Sequence, residues 1–183
     1  MTVTRHFKSL LDINKKEFLR IIERAIALKK DSQKNIHHNI CNNKTMAMIF
    51  KKNSTRTRVA FETAMNKMGG NAIFLSSSST QLERGENISD TGKVLSSMVD
   101  IILIRTHDHN EVIELAQHSS VPVINGLTAK FHPCQLLADM QTFYEEKETF
   151  EDKKIAWVGD GCNMCNSYIN AAKLLNFQLK IST

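Results

Sequence analysis

Short apolar segments alternate with amphipathic segments along most of this chain. The apolar segments lack a polar face, which is typical of strands buried on both sides in a parallel sheet. The amphipathic segments repeat apolar residues every three or four positions and predict helices. Predicted strands occupy residues 46–50, 71–75, 100–106, 121–125, 155–158 and 177–181, and predicted helices occupy 14–31, 54–68, 89–98, 111–118 and 133–144, with a last helix ending at 175. This alternation predicts an α/β fold with a parallel sheet and helices on both faces.

Local signals mark several helix ends and inward faces. Asn14 with Glu17 predicts a capping box, and Pro133 suits the first position of a helix because its missing N–H would have no partner there. Gly69 and Gly70 predict a helix stop. The strand 71–75 is expected to be buried. The helix that follows residue 54 has apolar positions at Val59, Phe61, Ala64, Met65 and Met68. The helix 89–98 is expected to face inward with Val94, Leu95 and Met98.

Composition narrows the classes of function. The 183 residues are 42% hydrophobic and carry a formal net charge of +5, which favours anionic small molecules as ligands. No motif or aromatic-interleaved basic patch supports nucleic acid binding. No apolar run resembles a signal peptide or membrane span, so we expect a cytoplasmic protein. Four unevenly spaced cysteines predict reduced thiols.

The chain also indicates where one domain ends and another begins. A charged segment at residues 145–154 separates the earlier elements from a fresh strand, helix and strand. We therefore predict one domain over residues 1–148 and the beginning of a second, incomplete domain over 149–183. Residues 76–86 form a long polar segment within the first domain, which is either a functional loop or a plain serine linker.

Residues 50–62 contain the strongest candidate for chemistry. A strand runs into Ser54-Thr55-Arg56-Thr57-Arg58, which opens a helix. Free N–H groups at a helix start, together with hydroxyls and guanidinium groups, suit a phosphate or an acyl phosphate. From these residues alone, an ordinary capped helix with two solvated arginines is an equally good interpretation.

Further polar residues follow predicted strands or open helices. Arg105 ends a buried strand, where open α/β sheets place ligand sites. His132 and Gln135 lie at a second strand-to-helix junction, although a histidine there also suits a helix cap. Gly159-Asp160-Gly161 lacks the third glycine of a dinucleotide motif. The C-x-x-C at Cys162 and Cys165 leaves a thiol redox protein as an alternative of another class.

Several separated motifs in order resemble the aspartate and ornithine carbamoyltransferase family. They are Arg5-His6-Phe7, residues 54–58, Phe61-Glu62, Gly69-Gly70, Gln81, Asp90-Thr91, Arg105 and His132-Pro133-Cys134-Gln135. Within that family, Cys134 and the Gly159-Asp160-Gly161-x-Asn163 segment resemble the ornithine-specific members. The resemblance implies transfer of a carbamoyl group from carbamoyl phosphate to the δ-amino group of L-ornithine, giving citrulline and phosphate, in arginine biosynthesis or the arginine deiminase route. It implies a homotrimer or a multiple of trimers for an intact protein, and no metal or cofactor.

The resemblance also implies roles for individual residues. Ser54, Thr55, Arg56 and Thr57 are expected to bind the phosphate, with Gln81 reaching a neighbouring subunit's site. Arg105, His132 and Thr57 are expected to point at the carbamoyl oxygen and act in catalysis. Gln135 is expected to bind the carbamoyl NH₂ group, and Asn163 the ornithine backbone.

The family's Ser-Met-Gly and His-Cys-Leu-Pro segments, which bind the amino acid, do not occur in this sequence. Residues 149–183 are therefore expected to be the beginning of an ornithine-binding domain, in a fragment or a truncated product. Two alternatives stay open within the family: a putrescine carbamoyltransferase, and an inactive fragment that only binds carbamoyl phosphate or associates with intact subunits.

Overall fold

The computed structural model describes residues 4–76 and 86–183, in two compact units. One unit holds the described part of Met1–Lys8 together with His37–Thr128, and the other holds Ser9–Ile36 and Ala129–Thr183. The predicted domain boundary at residue 148 lies inside the second unit and stays a prediction. The elements are a 3₁₀ turn (Leu10–Asp12), α1 (Lys15–Gln33), β1 (Thr45–Phe50), α2 (Thr55–Lys67), β2 (Asn71–Ser76), α3 (Ile88–Ser96), β3 (Ile101–Arg105), α4 (His109–His118), β4 (Val123–Leu127), α5 (Pro133–Lys147), β5 (Lys154–Val158), α6 (Asn163–Leu175) and β6 (Gln178–Ser182).

The first unit is built on a parallel sheet in the order β2-β1-β3-β4. The amino-terminal segment lengthens this sheet beside β4, since Phe7 donates its N–H to the Val123 carbonyl and accepts from the Asn125 N–H, both at 2.8 Å. The prediction of an α/β fold with a parallel sheet is confirmed. All the carboxyl ends of these strands therefore lie at one edge of the sheet, where α2 and α4 begin.

Alternation along the strands fills both faces of this sheet. One apolar cluster contains Ile49, Ile102 and Ile104 with α3 and α4 residues such as Leu115. The other contains Met46, Met48, Phe50 and Leu103 with Met65 of α2. Helices consequently cover both faces, and the central strands β1 and β3 are the most completely buried part of the unit.

The pairing between β3 and β4 shifts by one residue near the carboxyl ends of these strands. Ile104 pairs with Asn125, but Arg105 pairs with Leu127, which leaves Gly126 as an extra residue on β4. A Cβ atom at Gly126 would lie 3.2 Å from Leu103 Cδ1 and 3.3 Å from the Ile104 carbonyl oxygen. This bulge adjoins Arg105, and bulges of this kind redirect the side chains beside them.

The second unit contains α1, α5 and α6 with the parallel pair β5-β6. Phe150 is its aromatic centre, because its ring meets Phe18 at 5.9 Å, Phe143 at 5.6 Å and Tyr144 at 5.5 Å between centroids. Phe150 lies within the charged segment 145–154, which the sequence predicts to separate two domains. That segment is therefore anchored by one buried ring, while Lys29 and Glu145 form an ion pair of 2.8 Å on the surface.

The predicted helix ends are confirmed. Asn14 and Glu17 form a reciprocal capping box at the start of α1, and Pro133 occupies the first turn of α5. Gly69 follows α2 with φ +81°, a backbone conformation that a side chain would strain.

Two predictions of burial are wrong, those for the helix α3 and for the strand β2. Val94 of α3 and Met98 just after it were expected to face inward but are exposed, with Met98 at 72%, and the apolar positions Val59 and Ala64 of α2 are exposed as well. In α3 the buried residues are instead Ile88, Ser89, Thr91 and Gly92, because its packing face is set by α4, where Leu115 lies close to Gly92. The strand β2 is only partly buried, since it lies at the edge of the sheet.

None of the helices in residues 4–76 and 86–183 is long and apolar enough to cross a membrane.

Candidate functional site

The segment from β1 to α2 builds a helix start with free backbone donors. Ser54 is the N-cap, in an extended conformation, and its Oγ accepts the N–H of Thr57 at 3.3 Å. Thr55 and Arg56 follow in the first turn, where N–H groups have no intrahelical acceptor. The N–H of Lys51 donates to the Arg105 carbonyl at 2.9 Å, which ties this segment to the end of β3.

Two guanidinium groups converge on this helix start. Arg105 donates from Nη1 to Thr57 Oγ1 at 3.1 Å, and its Nε is buried without a hydrogen-bond partner in the described structure. Burial, and then the positive charge of Arg56, lower the pKa of Arg105. Within residues 4–76 and 86–183, neither arginine forms an ion pair with a carboxylate. Two like charges held together with spare donors form a site that a phosphate dianion would stabilise.

The structure separates Arg58 from this pair. Its Nε lies 3.3 Å from Glu62 Oε2, one helical turn away, and its Cζ lies 3.8 Å from the centre of the Phe74 ring. Arg58 is therefore occupied by a carboxylate and a cation–π contact on β2. The anion site at residues 54–58 stays a prediction, and these contacts favour residues 54–57 with Arg105 as its members over Arg58.

A polar bridge supports the same edge of the sheet. Glu111, in the first turn of α4, accepts from Lys51 Nζ at 2.6 Å and from the hydroxyl of Thr106. Thr106 is buried and directly follows Arg105. Glu111 therefore joins Lys51, in the segment that leads from β1 towards Arg56, to Thr106, the residue after Arg105. The sequence pattern did not indicate this role of Glu111, because Lys51 and Thr106 are brought together by the pairing of β1 with β3.

In the second unit, one buried hydroxyl joins two of the predicted residues. The His132 N–H donates to Ser167 Oγ at 2.9 Å, and Ser167 Oγ donates to the Asn163 carbonyl at 2.7 Å. His132 makes no side-chain cap on α5, so the alternative of a plain histidine cap is wrong. Asn163 is the first residue of α6, and Ser167 is 1% exposed.

Gln135 is exposed in the first turn of α5 and donates from Nε2 to Asp139 Oδ1 at 2.9 Å. Gln81, the remaining predicted phosphate ligand, lies outside the described residues. The structure thus brings together Ser54, Arg56, Thr57 and Arg105 in the first unit, with Thr55 beside them on α2. It joins His132 to Asn163 in the second unit.

The C-x-x-C cysteines have unlike environments. Cys162 is exposed at the N-cap of α6, without a side-chain cap bond, whereas Cys165 is 3% exposed in the helix. Burial raises the pKa of the Cys134 thiol to about 12, so this group stays neutral. No disulfide joins any of the four cysteines, all of which lie in the part of the chain that the structure describes.

A family model described as aspartate/ornithine carbamoyltransferase, carbamoyl-P binding domain, matches residues 5–145. The chain belongs to the aspartate/ornithine carbamoyltransferase family. The match spans every motif up to Gln135 that carried the resemblance, including the helix start at Ser54 and the junction at His132.

Relatives in this carbamoyltransferase family are identical to the chain at about half of the aligned positions. It is 55% identical over 178 residues to the ornithine carbamoyltransferase of Hydrogenovibrio crunogenus, covering 97% of this chain and 59% of that protein. It is 54% identical over 179 residues to the enzyme of Acinetobacter baumannii, covering 98% and 58%. The chain therefore spans somewhat under three fifths of the length of these curated relatives.

Solved structures in the carbamoyltransferase family have the same fold. The ornithine carbamoyltransferase of Burkholderia thailandensis superposes with a TM-score of 0.94 at 44% identity, covering 98% of this chain and 62% of that one. The enzyme of Pyrococcus furiosus gives 0.94 at 43% identity, covering 100% and 59%. The fold of a carbamoyl phosphate-binding domain, with a parallel sheet and helices on both faces, is thus confirmed.

Two residues that contact predicted site residues, Asp139 and Ser167, were not predicted from the sequence. Asp139 follows Gln135 by four residues on α5, and Ser167 follows Asn163 by four residues on α6. Positions four apart face each other on a helix, so this spacing was a usable signal for both.

Proposed function

We propose that the protein acts in transfer of the carbamoyl group from carbamoyl phosphate to the δ-amino group of L-ornithine, which gives L-citrulline and phosphate. Membership of the carbamoyltransferase family and the names of the relatives support this proposal. The observation that carries it is the pair of guanidinium groups, Arg56 and Arg105, held beside Thr57 without a carboxylate partner in the described structure.

Each residue of the proposed phosphate site offers the phosphate a hydrogen-bond donor, a positive charge or both. The first turn of α2 supplies N–H donors and the positive end of the helix dipole, and Ser54, Thr55 and Thr57 supply hydroxyls. Arg56 adds a charged fork that the described residues do not neutralise. Gln81 completes this set in our proposal, reaching into a neighbouring subunit of a homotrimer.

The transition state needs donors at the carbamoyl oxygen, where negative charge develops as the amine attacks. Arg105, Thr57 and His132 take this catalytic role in our proposal. The Thr57 hydroxyl accepts a hydrogen bond from Arg105 Nη1. The His132 N–H donates to the hydroxyl of buried Ser167. Gln135 binds the carbamoyl NH₂ group, and Asn163 binds the ornithine backbone. The phosphate is a good leaving group, so positioning supplies much of the remaining rate enhancement.

Replacement of Arg56 tests the phosphate site. Arg56→Ala removes one charge-assisted donor, and we expect about 10- to 100-fold weaker binding of inorganic phosphate and phosphonoacetamide, measured by calorimetry. Arg58→Ala is the matched control, because Arg58 is occupied by Glu62 and Phe74. It should leave phosphate affinity nearly unchanged.

Equal affinities of Arg56→Ala and the unaltered chain would contradict the proposed site. An equal loss in Arg58→Ala and Arg56→Ala would indicate non-specific attraction to positive charge in place of a built site.

A further inference from the structure

A carboxylate on α5 joins Gln135 to α6 and β5. Asp139 Oδ1 accepts from Gln135 Nε2 at 2.9 Å, and Asp139 Oδ2 accepts from the Tyr168 hydroxyl at 3.2 Å. The Tyr168 ring meets Trp157 with centroids 5.7 Å apart. Trp157 in turn donates from Nε1 to the carbonyls of Gly159 and Asp160, at 3.3 and 3.2 Å. All of these residues belong to the second unit.

This arrangement determines how the Gln135 amide is turned. A glutamine side chain has one donor end, Nε2, and one acceptor end, Oε1, which differ chemically but have nearly the same shape. An ionised carboxylate only accepts hydrogen bonds, so Asp139 attracts Nε2 and repels Oε1. Within the described residues, Oε1 has no hydrogen-bond partner. The end of Gln135 that remains for a ligand is therefore an acceptor.

Tyr168 prevents the carboxylate from turning away. Desolvation first, and then the charge of Asp139, raise the pKa of Tyr168 to about 12, so its hydroxyl remains a donor at neutral pH. Both oxygens of Asp139 are thus engaged by donors on two helices, and packing against Trp157 restrains the tyrosine ring.

We propose that Asp139 is a positioning residue that holds Gln135 with Oε1 towards the ligand, and thereby makes the site prefer a carbamoyl phosphate over an acetyl phosphate. A carbamoyl group presents N–H donors to Oε1, whereas the methyl group of an acetyl phosphate presents none. Bound acetyl phosphate would leave Oε1 desolvated and unpaired, which costs affinity. This inference rests on the proposed function, in which Gln135 binds the carbamoyl NH₂ group.

A pair of stable phosphonates isolates this effect. Phosphonoacetamide carries the amide NH₂, and acetonylphosphonate has a methyl group in its place. For the unaltered chain we expect calorimetry to give about tenfold tighter binding of phosphonoacetamide, the ratio expected for one unsatisfied acceptor. Asp139→Asn presents either a donor or an acceptor to Gln135, so both amide orientations become available and the ratio should fall close to one.

Two further variants sharpen the test. Tyr168→Phe keeps the carboxylate as the partner of Gln135, and it should retain most of the preference. Asp139→Leu is an apolar replacement of similar size with high helix propensity, which serves if Asp139→Asn does not fold. It should lose the preference while inorganic phosphate affinity stays unchanged, because a merely structural defect would lower the affinity for all three ligands together.

The outcomes separate this inference from the proposed function. Absence of binding of inorganic phosphate and both phosphonates to the unaltered chain would contradict the proposed function. Phosphate binding with equal affinity for the two phosphonates, or a tenfold preference retained by a folded Asp139 variant, would overturn the role of Asp139 alone. If neither variant folds, NMR of the unaltered chain decides: two rapidly exchanging side-chain amide protons on Gln135 would overturn the inference, and one slowly exchanging proton would support it.

Discussion

At the scale of single residues, exposure and pKa predict the order in which three of the four cysteines react. Cys162 is exposed, Cys165 is buried, and the pKa of Cys134 is raised to about 12 by burial. Because the thiolate is the reactive form, a thiol reagent at pH 8 should modify Cys162 well before Cys134 and Cys165. Mass spectrometry of the labelled peptides measures this order.

Cys162→Ser provides the control for that experiment, since it should remove the fast phase and leave the other rates unchanged. Rapid formation of a Cys162–Cys165 disulfide under mild oxidant would instead favour the thiol redox interpretation of the C-x-x-C motif. Fast modification of Cys134 in the folded chain would contradict its burial.

Residue types predicted a phosphate site at this helix start, which stays a prediction, but they did not distinguish Arg56 from Arg58. Arg56 and Arg58 are two positions apart in one motif, and each suits a phosphate equally well by type. The structure occupies Arg58 with Glu62 and with the ring of Phe74, which comes from a neighbouring strand. That ring contact depends on strand order, so the local sequence alone could not reveal it.

At the scale of elements, Asp100 joins the beginnings of two strands. Its carboxylate accepts from the Thr45 N–H at 2.9 Å and from Lys44 Nζ at 2.7 Å, and its own N–H donates to the Thr45 carbonyl. The hydrogen bond from Lys44 first, and then that from Thr45, lower the pKa of Asp100 below its ordinary value of 3.8. A lowered pKa stabilises the fold above pH 3.8, and this contribution is lost as the pH falls through the folded-state pKa.

Asp100→Asn should therefore lower the midpoint of urea unfolding at pH 7. The difference from the unaltered chain should shrink as the pH is lowered from about 5 towards 2, because both chains then carry a neutral group. Asp90→Asn is the matched control, since Asp90 forms an exposed pair with Lys93, and such pairs contribute little to stability. A difference that stays constant with pH would show that packing, and not charge, explains the effect.

Element types and ends could be read from the sequence, but several faces could not. Capping at Asn14, the glycine stop at Gly69 and Pro133 act locally, so each carries its own signal. The burial of α3 depends on contact with α4, where small residues such as Gly92 allow close approach, and Val94 and Met98 are left exposed. The exposure of β2 follows from the sheet order β2-β1-β3-β4, which no local pattern contains.

At the scale of the whole molecule, the two units should respond differently to phosphate. The proposed phosphate ligands on α2 and β3 belong to the first unit. At a phosphate concentration 100 times the Kd, binding raises the free energy of unfolding by about 2.7 kcal/mol. Hydrogen exchange measured by mass spectrometry should therefore slow in α2 and β3 and remain unchanged in β5 and β6.

Slower exchange confined to β5 and β6 would place the bound anion on the second unit and contradict the assignment to Arg56 and Arg105. Arg56→Ala is the control, and it should abolish the protection at the same phosphate concentration.

The extra residue at Gly126 has an evolutionary consequence. Gly126 has no partner on β3, so its loss would place Leu127 directly after Asn125 in the ladder and remove the bulge beside Arg105. A single-codon deletion would thus change the surroundings of Arg105 without altering any residue of the proposed phosphate site. We expect length at this point of the chain to be under stronger selection than the identity of its exposed neighbours.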